Sequence, residues 1–185
     1  GDLPGLHGRD HVAEGGRQVV LIGLAEIPGY DSLNLAGHSL EVVAALQSLP
    51  EIEPGIIARL YQVATARRWE VIFITSRPES AGDTAQLQTH RWLTKYGFTT
   101  PSVFVCHGSR GRIATALALD AFVDDRPENC LDITLESDAR AILVWRGDAE
   151  KVPGSARQLG IGTVPSIQEC LDILEQIEPD RKSVV

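Results

Sequence analysis

Two carboxylates stand side by side in VDDRPENC, residues 123–130. Asp124 and Asp125 follow a short apolar run and precede an arginine and a proline. The end of a buried strand gains nothing from adjacent like charges, whereas a metal or phosphate site has a use for them. Thr75 and Ser76 close another apolar run, EVIFITS (70–76), and offer hydroxyl donors ahead of a helix whose first N–H groups suit a phosphate. Arg110 opens a further predicted helix and is placed to neutralise phosphate charge. Asp124 and Asp125 bring the carboxylate oxygens that Mg²⁺ takes, with water, into an octahedral shell. The implied chemistry is phosphate binding beside a metal position.

Each of these residues also has a plainer role. Asp124 and Asp125 suit the cap and first-turn charge of a helix over 127–137. Thr75 and Ser76 suit a turn, and Arg110 a solvated surface. Cys106 and His107 have the types of a nucleophile and its base. As neighbours on a strand they face opposite ways and make a poor dyad. His38 and His90 have no partner at ligand spacing, and GIG at 160–162 is too short for a dinucleotide loop.

The elements that must position these groups follow from hydrophobic pattern. QVVLIGL (18–24) is a continuous β-branched run, as expected of a strand covered on both faces. EVIFITS (70–76), SVFVC (102–106), DAFVDD (120–125) and RAILVWR (140–146) repeat it. Helical patterns lie between. In 54–68, Ile56, Ile57, Leu60, Val63 and Ala64 share a face, and Pro54 suits the first turn. In 83–96, Leu87, Trp92 and Leu93 form the apolar side, and Gly97 ends the helix. Residues 110–119 and 127–137 give two more. The last, 166–177, brings Ile167, Cys170, Leu171 and Leu174 into register. Strands alternating with helices predict a doubly wound, Rossmann-like α/β domain with a parallel sheet. The first strand belongs at its centre, between 70–75 and 120–124. Ligands in such sheets bind beyond the carboxyl ends of the strands, at the switch in strand order. That criterion selects residues 23–26, 75–77, 106–110 and 124–126.

Residues 1–17 read as a loose N-terminal arm, 18–178 as one domain, and 179–185 as a tail. Residues 27–50 form a small cap-like insert after the first strand, with a loop at IPGYDSLNLAGHS and a short helix at LEVVAALQSL. The 185 residues are 43% hydrophobic, enough for one sizeable core. A net charge of −8 with no dense basic cluster argues against nucleic acid. Three widely spaced cysteines imply reduced thiols and a cytoplasmic protein. No apolar run approaches the roughly 20 residues that span a bilayer, so no membrane is expected. The first ten residues lack signal-peptide character. Methionine is absent, and Gly1 is expected to be a processed end.

The segment VIFITSRPESAGDTAQLQTHRWLTKYGF, followed by GSRGRIATALALDAFVDDRPENC, resembles the second to fourth motifs of the haloacid dehalogenase (HAD) superfamily. It is most similar to the branch of nucleotidases and polynucleotide 3′-phosphatases, and the likeness covers roughly residues 18 to 175 in motif order. The resemblance implies a HAD-like fold. It makes Thr75 or Ser76 the phosphate-binding hydroxyl, and it sets Arg110 where the family usually has lysine. Asp125 becomes the metal-binding carboxylate and Asp124 its neighbour. It also exposes a departure. The family's first strand ends in Asp-x-Asp, the first attacking phosphorus and binding Mg²⁺, the second acting as acid and base. Here those two positions fall on Gly23 and Ala25.

The expectation is a catalytically inactive phosphatase homologue that binds phosphate or a phosphorylated small molecule, with Mg²⁺ weak or absent. A protein partner stays open. The alternative is an active Mg²⁺-dependent phosphomonoesterase using a displaced carboxylate, Glu26 or Asp31, or a metal-activated water.

Overall fold

The computed structural model describes residues 18–21 (backbone only), 49–77 and 82–176. The arm 1–17, the tail 179–185 and all of the 27–50 insert but its last two residues lie outside them. So do Gly23, Ala25, Glu26, Asp31 and His38.

Six strands form one parallel sheet: β1 Gln18–Leu21, β2 Glu70–Thr75, β3 Ser102–Val105, β4 Ala121–Asp124, β5 Arg140–Val144 and β6 Gly162–Val164. Their order is β3-β2-β1-β4-β5-β6, so β1 is central between β2 and β4, as the sequence predicts. Leu21 is level with Phe73 on one side and Val123 on the other. Parallel neighbours need crossovers, and helices fill them: α1 Ile56–Arg67, α2 Ala85–Lys95, α3 Arg110–Ala116, α4 Pro127–Glu136, α5 Gly154–Gln158 and α6 Ile167–Gln176.

Alternation along the strands splits the core in two. Phe73, Val103, Val123 and Ile142 pack with α1, α2 and α6. Ile74, Phe122, Ala141 and Leu143 pack with α3, α4 and α5. The sheet is thus covered on both faces, an α/β arrangement compatible with a Rossmann-like fold. Among the described residues no helix is long and apolar enough to cross a membrane.

Local chemistry sets the helix ends. Glu51 accepts hydrogen bonds from the N–H groups of Gly55 (2.6 Å) and Ile57 (2.8 Å), closing the start of α1. Pro54 precedes that helix and is not in its first turn. Its buried face is the one read from sequence: Ile56, Ile57, Leu60, Val63 and Ala64. The α6 face is also as read, with Ile167, Cys170, Leu171 and Leu174 buried. Gly97 takes φ 101° just past α2, the left-handed position that ends a helix.

In α2 one apolar assignment fails. Leu87 is 39% exposed, whereas Gln88 is 2% exposed among Ala85, Trp92 and Leu93. Gln88 tolerates burial because its amide donates to the Asp83 carbonyl. The sequence reading also omits β6 and α5. Two of the three β6 residues are exposed, so it shows no apolar run.

Candidate functional site at the carboxyl edge of the sheet

All six strands run the same way, so Thr75, Cys106–Arg110 and Asp124–Arg126 emerge along one edge. Strand order reverses between β1 and β4, and this places the switch point beside Asp124 and Asp125. Thr75 and Asp125 each lie two residues beyond the level of Leu21. Three of the four clusters selected from sequence therefore share an edge. The fourth, 23–26, is outside the described residues.

Asp124 is fully buried at the end of β4. Its Oδ1 accepts from the Arg126 N–H and its Oδ2 from the Asn129 side-chain amide, both at 2.8 Å. These bonds fold the strand end into the start of α4. The helix is capped by Arg126 without a side-chain cap bond and carries Pro127 at its first position. Burial pushes the Asp124 carboxyl up to about 7, against the pull of the Arg126 N–H, and the Asp125 charge pushes the same way. Asp125, one residue past the strand, is half-buried, and its side chain stays within hydrogen-bonding reach of Asp124.

This arrangement divides the roles of the DD pair. Asp124 is committed to the turn, with each oxygen already engaged. Its raised pKa makes proton binding compete with a hard cation for this carboxyl near neutral pH. Asp125 is the more accessible carboxylate of the two. Among the described residues no group of three or more His, Cys, Asp or Glu could hold a metal ion.

Arg110 is the first residue of α3 and only 8% exposed, so it is not the solvated arginine of the plainer reading. No hydrogen bond or ion pair reaches its guanidinium among the described residues, and its buried Nε has no partner. Its backbone tells a different story. Asp132 on α4 accepts from the N–H groups of Arg110 (2.6 Å) and Gly111 (2.9 Å). Ser109 caps the helix by accepting from the Arg112 N–H and donates to Glu136 (2.7 Å). The start of α3 is therefore filled by the protein's own carboxylate, and only the Arg110 side chain remains for an outside anion. Gly111 permits this approach, since a Cβ there would meet the Asp132 carbonyl oxygen at 2.5 Å and the Glu136 Cβ at 2.6 Å.

Thr75 is half-buried and Ser76 exposed. The Thr75 hydroxyl accepts weakly from the Arg77 N–H at 3.4 Å, a turn contact. The helix after Ser76 begins only at Ala85, and its own Thr84 accepts from the Leu87 N–H. Ala85 is within two residues of the start at 83 that the sequence reading gives. Cys106 and His107 lie past the end of β3, and the Cys106 sulfur accepts from the Gly108 N–H. His90 is half-buried on α2.

Sequence reasoning missed Asp132 and Asn129. Asn129 was findable, two residues past Pro127 within the first turn of α4. Asp132 was not, since only α3–α4 packing brings it to Arg110.

The three cysteines are free thiols. Burial raises the Cys130 pKa, with the Asp124 charge adding to it, and burial with Glu53 pushes Cys170 up to about 12. Both stay protonated and inert.

No protein-family model matches the chain, and no curated protein compared with it matches.

Proposed function

We propose that this chain is a HAD-like phosphatase homologue that holds phosphate, or a small phosphorylated molecule, at the carboxyl edge of its sheet without hydrolysing it. The observation that carries the reading is Arg110: a buried arginine whose Nε has no partner and whose guanidinium meets no carboxylate among the described residues. A buried charge without a partner is costly, and a bound anion removes that cost. Thr75, Ser76 and Arg110 fall at the phosphate-binding positions of the motif resemblance, and the strand order puts their segments at the edge where α/β sheets take ligands. Arginine offers phosphate a planar fork where a lysine offers a point charge.

Absence of turnover follows from the first motif. Gly23 and Ala25 occupy the positions of the nucleophile and the acid–base group, and neither has a side chain that can attack, donate a proton or bind metal. The engaged, proton-favouring Asp124 supports weak Mg²⁺ binding for the same reason. The test is hydrolysis of p-nitrophenyl phosphate with and without Mg²⁺, with Asp125→Asn as control. We expect no turnover in either protein. Metal-dependent turnover that disappears in Asp125→Asn would establish the alternative, an active phosphomonoesterase using a displaced carboxylate.

A further inference from the structure

At the opposite end of the sheet, where β2 and β3 begin, the surface is indented by a groove of ≈ 410 Å³. That is within the roughly 300–1,000 Å³ typical of small-molecule sites. The end of α1, the first residues of β2 and the loop before β3 line it. One wall is aromatic: Tyr61 and Trp69 are half-buried, and Tyr61 stacks edge-on against Phe98 at 5.2 Å. Arg68 and Glu70 line the groove, both exposed. Their side chains carry no hydrogen bond or ion pair among the described residues, to each other or to any other group. The hydroxyls of Tyr61, Thr99, Thr100 and Ser102 and the Trp69 indole N–H are likewise uncommitted among the described residues. Of the polar side chains on the groove, only Thr65 is bonded internally, to the Tyr61 carbonyl.

The backbone of the groove is also unusual. Among the described residues three non-glycine residues have positive φ, and two of them, Arg68 (56°) and Thr100 (54°), line it. Arg68 has an ordinary reason, since it caps α1 in the left-handed conformation. Thr100 ends no helix, and a β-branched residue in that region is strained.

We propose that this groove binds a small zwitterion with an aromatic body, of the α-amino-acid class. Arg68 and the hydroxyls match a carboxylate. Glu70 and the faces of Trp69 and Tyr61 match an ammonium group, by charge and by cation–π attraction. Opposite charges that share a groove without bridging each other are complementary to a ligand that carries both. A neutral polyol or a simple anion would use only half of the set. The site is independent of the phosphate-binding edge and stands or falls separately from it.

The test is an NMR titration of the full chain, labelled with ¹⁵N, with L-phenylalanine. Two truncated probes run beside it: 2-phenylethylamine, which lacks the carboxylate, and 3-phenylpropionate, which lacks the ammonium. Expected are saturable shifts at the Trp69 indole and the 99–102 amides, with a Kd on the order of 1 mM. Each truncated probe should bind at least several-fold more weakly. Arg68→Gly and Glu70→Gln should each weaken L-phenylalanine several-fold. Arg68→Gly suits the left-handed backbone and Glu70→Gln is exposed, so both keep the fold, as matching spectra elsewhere will show. Arg110→Met should leave the titration unchanged. The proposal is overturned by the absence of saturable shifts, by shifts located away from the groove, or by equal affinity in the wild type and both groove variants.

Discussion

Arg110 and Arg146 each follow a strand of the same sheet, and each has a buried Nε with no partner. The rest of their surroundings differ. Arg146 donates to Glu53 at 2.9 Å. The same Glu53 carboxylate accepts from the N–H groups of Ile167 (2.8 Å) and Gln168 (2.9 Å) and so holds the start of α6. One acid thus joins the segment before α1 to β5 and α6. At Arg110, Asp132 accepts from the backbone N–H, and no carboxylate among the described residues bonds the guanidinium. A structural charge is consumed by its fold, whereas a charge that awaits a ligand is left over. The number of uncommitted charged groups at a site is therefore more informative than the number of charged groups.

The contrast can be broken first at its structural member. Glu53→Ala removes three hydrogen bonds to a carboxylate and strands Arg146. We expect a loss of about 3 kcal/mol in denaturant unfolding. Burial pulls the Glu53 carboxyl up, but the N–H groups of Ile167 and Gln168 and the Arg146 guanidinium outweigh it and hold it below the usual value of 4.5. The folded pKa is depressed, so this stabilisation is present above pH 4.5 and is lost as pH falls through the folded pKa. Glu53→Gln should flatten that acid limb of the stability curve.

Asp124 gives the opposite sign. Its folded pKa lies near 7 against an ordinary 3.8, so between those values the native state keeps a proton that the unfolded chain has lost. Stability therefore falls as pH rises through that window, with a ceiling of about 4 kcal/mol. Asp124→Asn should raise stability by about 2 kcal/mol at pH 8, since the new amide gives up one acceptor to Asn129. It should give no gain at pH 4. A variant less stable than wild type at both pH values would contradict the account of this buried carboxyl.

Thr75→Val sharpens the comparison at the small end. Its one side-chain hydrogen bond among the described residues is long, so stability should change by no more than about 0.5 kcal/mol. Any larger change in phosphate affinity would then mark the hydroxyl as part of the site, read in the same titration as Arg110 below.

Much of the fold was legible because burial on both sheet faces leaves continuous apolar runs. The central place of β1 followed from putting the candidate residues on one edge, and the α1 and α6 faces followed from helical period. Gln88 was illegible, because its burial depends on one carbonyl, that of Asp83, which pattern does not encode. β6 was illegible because it is short and largely exposed. At the site, residue types located the edge, but tertiary packing assigned the roles. Asp124 is buried and spent on the turn, while Asp125 beside it is only half-buried. The α3–α4 contact brings Asp132 to the helix start that the sequence had left open for an anion.

The most direct measurement of the central claim is thermal unfolding in inorganic phosphate with EDTA present, comparing wild type with Arg110→Met. Methionine fills similar space without a charge, so the variant should fold and, lacking the unpaired guanidinium, match or exceed wild-type stability by about 1 kcal/mol without phosphate. With phosphate, the wild-type midpoint should rise with concentration as a ligand that binds only the native state requires, and the variant should not respond. Equal responses in the two proteins, or no response in wild type, would contradict phosphate binding at Arg110.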